Sequence, residues 1–503
     1  MLGNNAIFDT FVIGGGVNGT GIAADAAGRG LNVMLCEMND LASATSSNSS
    51  KLIHGGLRYL EHYEFRLVRE ALAEREVLLK KAPHIMWPMR FRLPHRPHLR
   101  PKWMLRAGLF LYDNLAKRNT LEGSRAIKFQ PSDPLQETID SGFEYSDGWV
   151  DDSRLVVLNA VSASEHGARI ATQTQCLAAT RITLGGETLW QLSLLHKPTN
   201  RSETVYAKAL VNAGGPWVND IFEETLKLQT PKNIRLIKGS HIVVPRIHNG
   251  DEAYILQNED GRIVFVLPYE ETFSLIGTTD VEFSGSPSSA SLSDDELNYL
   301  IDVVNDHFIA KLSSQDVVSS FSGVRPLIDD ASDDASEITR DYLIDLDAPN
   351  NQAPLVSIFG GKITTYRKLS EAAVDRLASF FPDIKPRWTA NSCLPGGDFS
   401  NQETLINEMR QEYRWLTPSL ARRYARTYGT LSHKFLSGTQ CIEDMGEHFG
   451  AELYEREVEY LKTHEWACNA EDILWRRTKL GLFLTSAQIE CLDTYLNKCR
   501  LAA

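Results

Sequence analysis

Residues Thr10 to Glu37, TFVIGGGVNGTGIAADAAGRGLNVMLCE, constrain this chain more than any other stretch. Thr10–Ile13 reads as a short buried strand, and glycines at 14, 16 and 19 follow at once with the spacing G-x-G-x-x-G. The next residues are small and compatible with a helix that ends near Gly28 and Gly30, and a second strand, NVMLCE, finishes on Glu37. Each part has a physical task. Gly14 permits a tight turn, Gly16 lets a pyrophosphate approach the backbone, and Gly19 lets helix and strand pack closely. Unpaired N–H groups at the helix start offer partial positive charge to phosphates. Gly14, Gly15, Gly16, Val17, Asn18 and Gly19 thus form the expected cradle, and Glu37 can accept from an adenosine ribose. The acid at that place disfavours a 2′-phosphate, hence NADP.

NAD and FAD share this fingerprint, so the rest of the chain must separate them. A segment rich in Ser and Thr, ASATSSNSSK, follows Glu37 and could hydrogen-bond a long cofactor through Ser46, Ser47, Lys51 and Leu52. Much later, YAKALVNAGGPWV reads as a strand ending at Ala213, Gly214 and Gly215. Later still, the chain runs from a strand through Gly360 and Gly361 into Lys362, Ile363, Thr364 and a helix. A nucleotide domain assembled from three distant segments, with a substrate region threaded between them, suits FAD.

The totals set outer limits. At 503 residues the chain can hold two or three domains. Its 43% hydrophobic and 23% charged content is that of a globular protein. A formal charge of −13 argues against nucleic acid as a partner. The seven cysteines include no C-x-x-C pair, so no metal or redox motif is expected and a reducing compartment is. The start, MLGNNAIFDT, lacks the parts of a signal peptide, and no apolar run approaches the ~18 residues of a spanning helix. The expectation is a cytoplasmic protein, peripherally attached at most to the cytoplasmic face of a membrane. A homodimer is compatible with the sequence, which sets no oligomeric state.

One stretch is charged against the trend. From Val77 to Tyr112 there is no Asp or Glu, while Lys80, Lys81, Arg90, Arg92, Arg96, Arg100, Lys102 and Arg106 alternate with aromatic and aliphatic residues. Such a stretch is attracted to an anionic bilayer surface by roughly 1 kcal/mol per cation near it. Internal ion pairing with the acidic excess is the alternative, and nucleic acid the remaining one.

SSKLIHGGLRYLE, Ser49–Glu61, places His54, Gly55, Gly56, Arg58 and Tyr59 directly after the cradle. If a helix begins there, His54 and Arg58 share a face, and the two glycines let backbone come close to a flat ring. The plainer reading is a glycine turn with His54 capping a helix. Together with RLIKGSHIVVP, IGTTDVE, SGVRPL and FGGKITTYRKL, in that order, these motifs resemble the FAD-dependent, respiratory glycerol-3-phosphate dehydrogenases of the D-amino-acid-oxidase-like superfamily.

That resemblance implies oxidation of sn-glycerol 3-phosphate at C2, with hydride passing to flavin N5 and two electrons to a membrane quinone. It places this segment beside the flavin with His54 and Arg58 facing the substrate, and Tyr59 and Thr278 as further substrate contacts. It also lifts His241, otherwise a structural histidine, into proton transfer. Arg325 and Arg340 would serve the reacting carbon and the phosphate, and Lys362 would open a helix aimed at the flavin. Alone, Thr278 reads equally as a turn residue and Arg340 as a partner of the acidic loop DDASDDASE. An oxidase using O2 and a non-catalytic dinucleotide-binding module remain open.

The expected fold is α/β: a Rossmann-like FAD domain, an α+β substrate domain with an antiparallel sheet, and an all-helical C-terminal domain. FAD segments are placed at about 7–65, 206–220 and 353–380, and substrate segments at about 66–205 and 221–352. Residues 391–503 form the helical domain, exemplified by TPSLARRYARTYG, with Thr417 as N-cap, Pro418 in the first turn and Gly429 as stop. Trp415, Trp466 and Trp475 are expected in its core.

Overall fold

The computed structural model describes residues 7–60, 63–329, 341–349 and 352–502, with Arg58 and residues 499–502 described by their backbone alone. Its first unit follows the glycine motif: β1 (Ile7–Ile13), α1 (Val17–Gly28) and β2 (Val33–Cys36). β2 is buried along its whole length, as a parallel strand covered on both faces requires. The small residues of α1 let two further helices close on it, α4 (Asp152–Glu165) and the helix Tyr366–Leu377.

Among the described residues the first sheet has eight strands. Its main path runs Tyr342–Asp347, Leu355–Gly360, Arg201–Asn212, β1, β2, Arg169–Ala171. Arg201–Asn212 is parallel to both β1 and Leu355–Gly360, so the three glycine-ended segments finish side by side. Two antiparallel strands, Thr174–Leu184 and Glu187–His196, extend it through Arg201–Asn212. Residues 169–205 and 342–347, expected with the substrate segments, therefore belong to the first sheet. Period-two alternation does not say which sheet a strand joins.

Among the described residues the second sheet has ten strands and is antiparallel except where Ala253–Gln257 runs parallel to β4 (Met86–Pro94). Its far edge is β3 (Leu52–Ile53), which pairs with Ser141–Val150 and ties the segment after the cradle to this sheet. The long strands Ile234–Pro245 and Ser319–Ile328 pair along ten positions. The helix Asp294–His307 covers the back, opened by a reciprocal Ser293–Glu296 capping box. Its Leu300, Val303 and Val304 pack on Ile242, Val244 and Ile276.

After β3 comes not a helix but a 3-10 turn, Leu57–Leu60, with α2 starting only at Phe65 (Phe65–Lys81). Gly55–Gly56 breaks the run, so His54 and Arg58 do not share a helix face. The basic stretch is also resolved into parts. Lys81 is buried and donates to the Thr389 and Ser392 carbonyls. Arg92 pairs with Asp133 and Glu252, and Arg96 with Asp306. Arg92 and Arg96 thus serve internal ion pairing, the alternative to the membrane reading, and Lys81 is spent on buried carbonyls. The apolar members behave differently: on α3 (Lys102–Asn114), Trp103 is 70% and Phe110 65% exposed, beside exposed Met104 and Leu111. Among the described residues no helix is long and apolar enough to cross a membrane.

The C-terminal part is mainly helical but includes a short hairpin, His448–Gly450 with Leu453–Tyr454. Thr417 accepts the Leu420 N–H at 3.2 Å, Tyr424 and Tyr428 are buried, and Gly429 follows the helix. Its apolar residues join those of α1 and α4 in one continuous cluster. Trp475 is 36% exposed, so it is a surface residue and not core. Buried ion pairs stitch the junction: Arg476 and Arg477 to Asp40, and Arg154 to Glu465. Burial raises the Asp40 pKa, but the two guanidinium groups more than offset it and hold it below the usual range.

Candidate active site

The strand ends of the first sheet face the second sheet across a cavity of about 750 Å3. At one end Glu37 accepts the N–H groups of Gly15 (2.7 Å) and Asn39 (2.8 Å), and burial pushes its carboxyl up against the pull of those bonds. Gly14 has φ +111°, and a Cβ there would stand 2.5 Å from the Ala213 carbonyl. At Gly19 a Cβ would lie 1.9 Å from the Gly14 carbonyl, so both positions need glycine. Ser46 Oγ accepts the Val17 N–H at 3.0 Å, which leaves its hydroxyl hydrogen for an acceptor in the cavity. Asn18 reaches the Gly360 carbonyl at 3.4 Å, and its Oδ1 has no hydrogen-bond partner among the described residues. Ala213–Gly215 and Gly360–Thr364 complete the wall. An extended cradle of backbone N–H groups, closed by an acid at one end and a cation at the other, fits FAD.

Lys362 supplies that cation. It precedes the 3-10 turn Ile363–Thr365 and the helix after it, and its ammonium stands 3.6 Å from the centroid of the Tyr59 ring. Thr364 Oγ1 accepts the His54 N–H at 3.2 Å and holds that residue against the helix start. The His54 ring meets Phe265 edge-on at 6.3 Å. Burial, then Lys362 and Arg75, push its pKa down to about 3, so the imidazole is neutral. Beneath it, the Gly55 N–H donates to the Tyr112 hydroxyl, which in turn donates to Asp147, the ion-pair partner of Arg75.

On the opposite wall Arg325 donates to Asp280 and, at 3.0 Å, to Thr278 Oγ1. All three line the cavity. Ser50 also lines it, and its hydroxyl lies 2.9 Å from Nε2 of His241, which is 1% exposed.

The expected residues therefore divide. Gly14–Asn18, Glu37, Ser46, Leu52, Gly56, Ala213–Gly215 and Gly360–Thr364 line one cavity with His54, Tyr59, Thr278 and Arg325. Gly19 packs helix on strand, as its spacing implied. Lys51 does not reach the cavity: its ammonium is buried on Asp152 and the Ser47 carbonyl. Ser47 itself bonds back to Ala44, and Gly55 packs under Leu72 and Tyr112 instead of opening a path to a ring. His241 stands behind Ser50. Arg340 lies outside the described residues, as does the Arg58 side chain. Asp280, Ser50, Phe265 and Phe321 line the cavity without having been singled out by sequence. For Asp280, its place in IGTTD beside Thr278 was the available signal.

Residues 9–367 match the family of FAD-dependent oxidoreductases, and residues 387–498 match the C-terminal domain of alpha-glycerophosphate oxidase. The chain is 57% identical to a glycerol-3-phosphate dehydrogenase of Pseudomonas aeruginosa over 97% of its own length and 95% of the relative's. It is 49% identical to a D-erythritol 1-phosphate dehydrogenase of Brucella abortus, over 98% and 99% of the two chains. Its fold is similar to the crystal structure of a glycerol-3-phosphate dehydrogenase from Bacillus halodurans complexed with FAD. There the TM-score is 0.72 at 25% identity, covering 98% of this chain and 94% of that one.

Proposed function

The chain belongs to the FAD-dependent glycerol-3-phosphate dehydrogenase family, and from that membership we propose that it oxidises sn-glycerol 3-phosphate to dihydroxyacetone phosphate and passes the electrons to a membrane quinone. One observation carries the reading. Arg325, Lys362 and a neutral His54 line the same cavity as the dinucleotide cradle. A phosphomonoester dianion needs fixed cations, and oxidation of a secondary alcohol needs a group to take the hydroxyl proton.

Bound FAD supplies the hydride acceptor. The chain does the rest. Arg325 presents its fork to the substrate's oxygens, with Thr278 and Asp280 setting its plane. Tyr59, on the same cavity, is a further substrate contact, and Arg58 and Arg340 are assigned to the substrate by the family resemblance alone. His54, bare on one ring nitrogen, accepts the C2 hydroxyl proton, and a bound dianion offsets the charge it acquires. Lys362 and the helix start behind it put positive charge where electron density arrives. The exposed apolar face of α3 supports a bilayer, and hence a quinone, as the destination.

Two substitutes are tested in one preparation. Peroxide yield against reduction of a quinone analogue separates dioxygen from quinone, and this reading expects quinone reduction with little peroxide. Turnover of glycerol 3-phosphate should exceed that of erythritol 1-phosphate. The opposite order would move the chain to the longer polyol phosphate.

A further inference from the structure

Ser50 and His241 form a pair whose direction the structure fixes. The hydroxyl of Ser50 lies on the cavity wall, 2.9 Å from His241 Nε2. The imidazole lies flat on Phe321, with ring centroids 4.9 Å apart and planes 18° apart, so it cannot swing into the cavity without leaving that stack. Its Nδ1 is buried and has no hydrogen-bond partner among the described residues.

A neutral imidazole carries one N–H and one bare nitrogen. A proton on Nδ1 would bury an unmade N–H bond, the rarer and costlier kind of unmet group. The proton therefore belongs on Nε2, which donates to Ser50 Oγ. Ser50 then spends no hydrogen on His241, and its own O–H turns to the cavity. Arg325 shares that wall: on the strand Ser319–Ile328 it stands on the same face as Phe321, opposite Ile237 on the strand that carries His241.

We infer that Ser50 is a substrate-binding hydrogen-bond donor to a hydroxyl or carbonyl oxygen of the polyol phosphate. His241 is the positioning residue that fixes it, and not the proton acceptor. Protonating His241 would also place a second buried cation beside Lys51, whose ammonium stands 5.0 Å from the centroid of the same Phe321 ring. The inference rests on the reading of the cavity as an alcohol-oxidising site.

The holoenzyme tests it with Ser50→Ala, His241→Phe and His241→Gln, the last restoring an N–H donor. Binding of dihydroxyacetone phosphate is followed by the perturbation of the bound flavin's absorbance, alongside the pH dependence of kcat. Ser50→Ala and His241→Phe should weaken binding about tenfold, the scale of one lost hydrogen bond. His241→Gln should recover most of that, with the pH profile unmoved. Two results overturn the inference: product binding in Ser50→Ala equal to the parent's, or His241→Gln as inactive as His241→Phe with its acidic limb gone. If His241→Phe loses FAD, Ser50→Ala decides alone. Failure of the underlying reading looks different, since the parent's own flavin would then stay oxidised with glycerol 3-phosphate.

Discussion

Arg325 is held between Asp280 and Thr278, so its charge and its plane are both prepared before any ligand arrives. Arg325→Ala should lower kcat/KM by about 10²–10³, the scale of one removed charge-stabilising donor, while FAD content per chain stays constant. Arg325→Lys should restore little, because an ammonium keeps the charge and loses the fork. His54 makes a prediction of opposite kind. With its pKa near 3 it is already neutral well below physiological pH, so kcat/KM should show no acidic limb near 6.5 from this residue. A limb there that vanishes in His54→Asn would contradict the assignment. The glycines were legible in sequence because each answers a local demand: a positive φ at Gly14, a carbonyl against Gly19. Lys51 was not, because the group that captures it, Asp152, lies 101 positions on. Ser50 was one of several serines until the fold put His241 behind it.

Elements were legible where a periodic signal was long or a cap was explicit, as in β1–α1–β2 and the helix after Thr417. The Gly55–Gly56 break was visible in sequence, yet its effect depended on Tyr112 and Asp147 holding the turn from below. The basic stretch shows how composition misleads at this scale. Its arginines are spaced like a membrane patch, but Arg92 and Arg96 reach acids on distant segments. Reversing those two to glutamate should set like charges against Asp133, Glu252 and Asp306, and lower the melting temperature more than it weakens vesicle binding. The exposed apolar residues lie instead on α3, and the proposed membrane contact is tested there. A Trp103→Glu, Phe110→Glu variant should lose at least about tenfold in affinity for anionic vesicles, since each aromatic side chain forgoes roughly 1.5–3 kcal/mol of burial. Turnover with an artificial acceptor should be unchanged, and co-sedimentation with vesicles checks the first claim.

Across the whole molecule, the C-terminal helices are joined to the dinucleotide fold by charges sealed from water. Arg477→Ala would leave Asp40 buried beside a single remaining guanidinium and should cost about 3–5 kcal/mol, the scale of a broken buried pair. Acid should act through histidines. His54 and His84 are held near pKa 3, and His241 well below its ordinary value, in each case first by burial. A folded-state pKa below the unfolded value means that the unfolded chain binds the extra proton. Each such histidine should therefore remove up to about 1.4 kcal/mol per pH unit as pH drops below about 6.5, while Asp25, raised to about 6 by burial, acts in the opposite sense. Melting temperatures from pH 7 to 5 would show the slope, and His84→Gln, remote from the site, should make it shallower. If this one cavity joins FAD to the oxidation of a phosphorylated polyol, anaerobic titration of the purified holoenzyme with glycerol 3-phosphate should abolish the oxidised flavin's visible band, with dihydroxyacetone phosphate formed mole for mole with flavin reduced. A band left unchanged by saturating glycerol 3-phosphate, yet bleached by a chemical reductant, would contradict it.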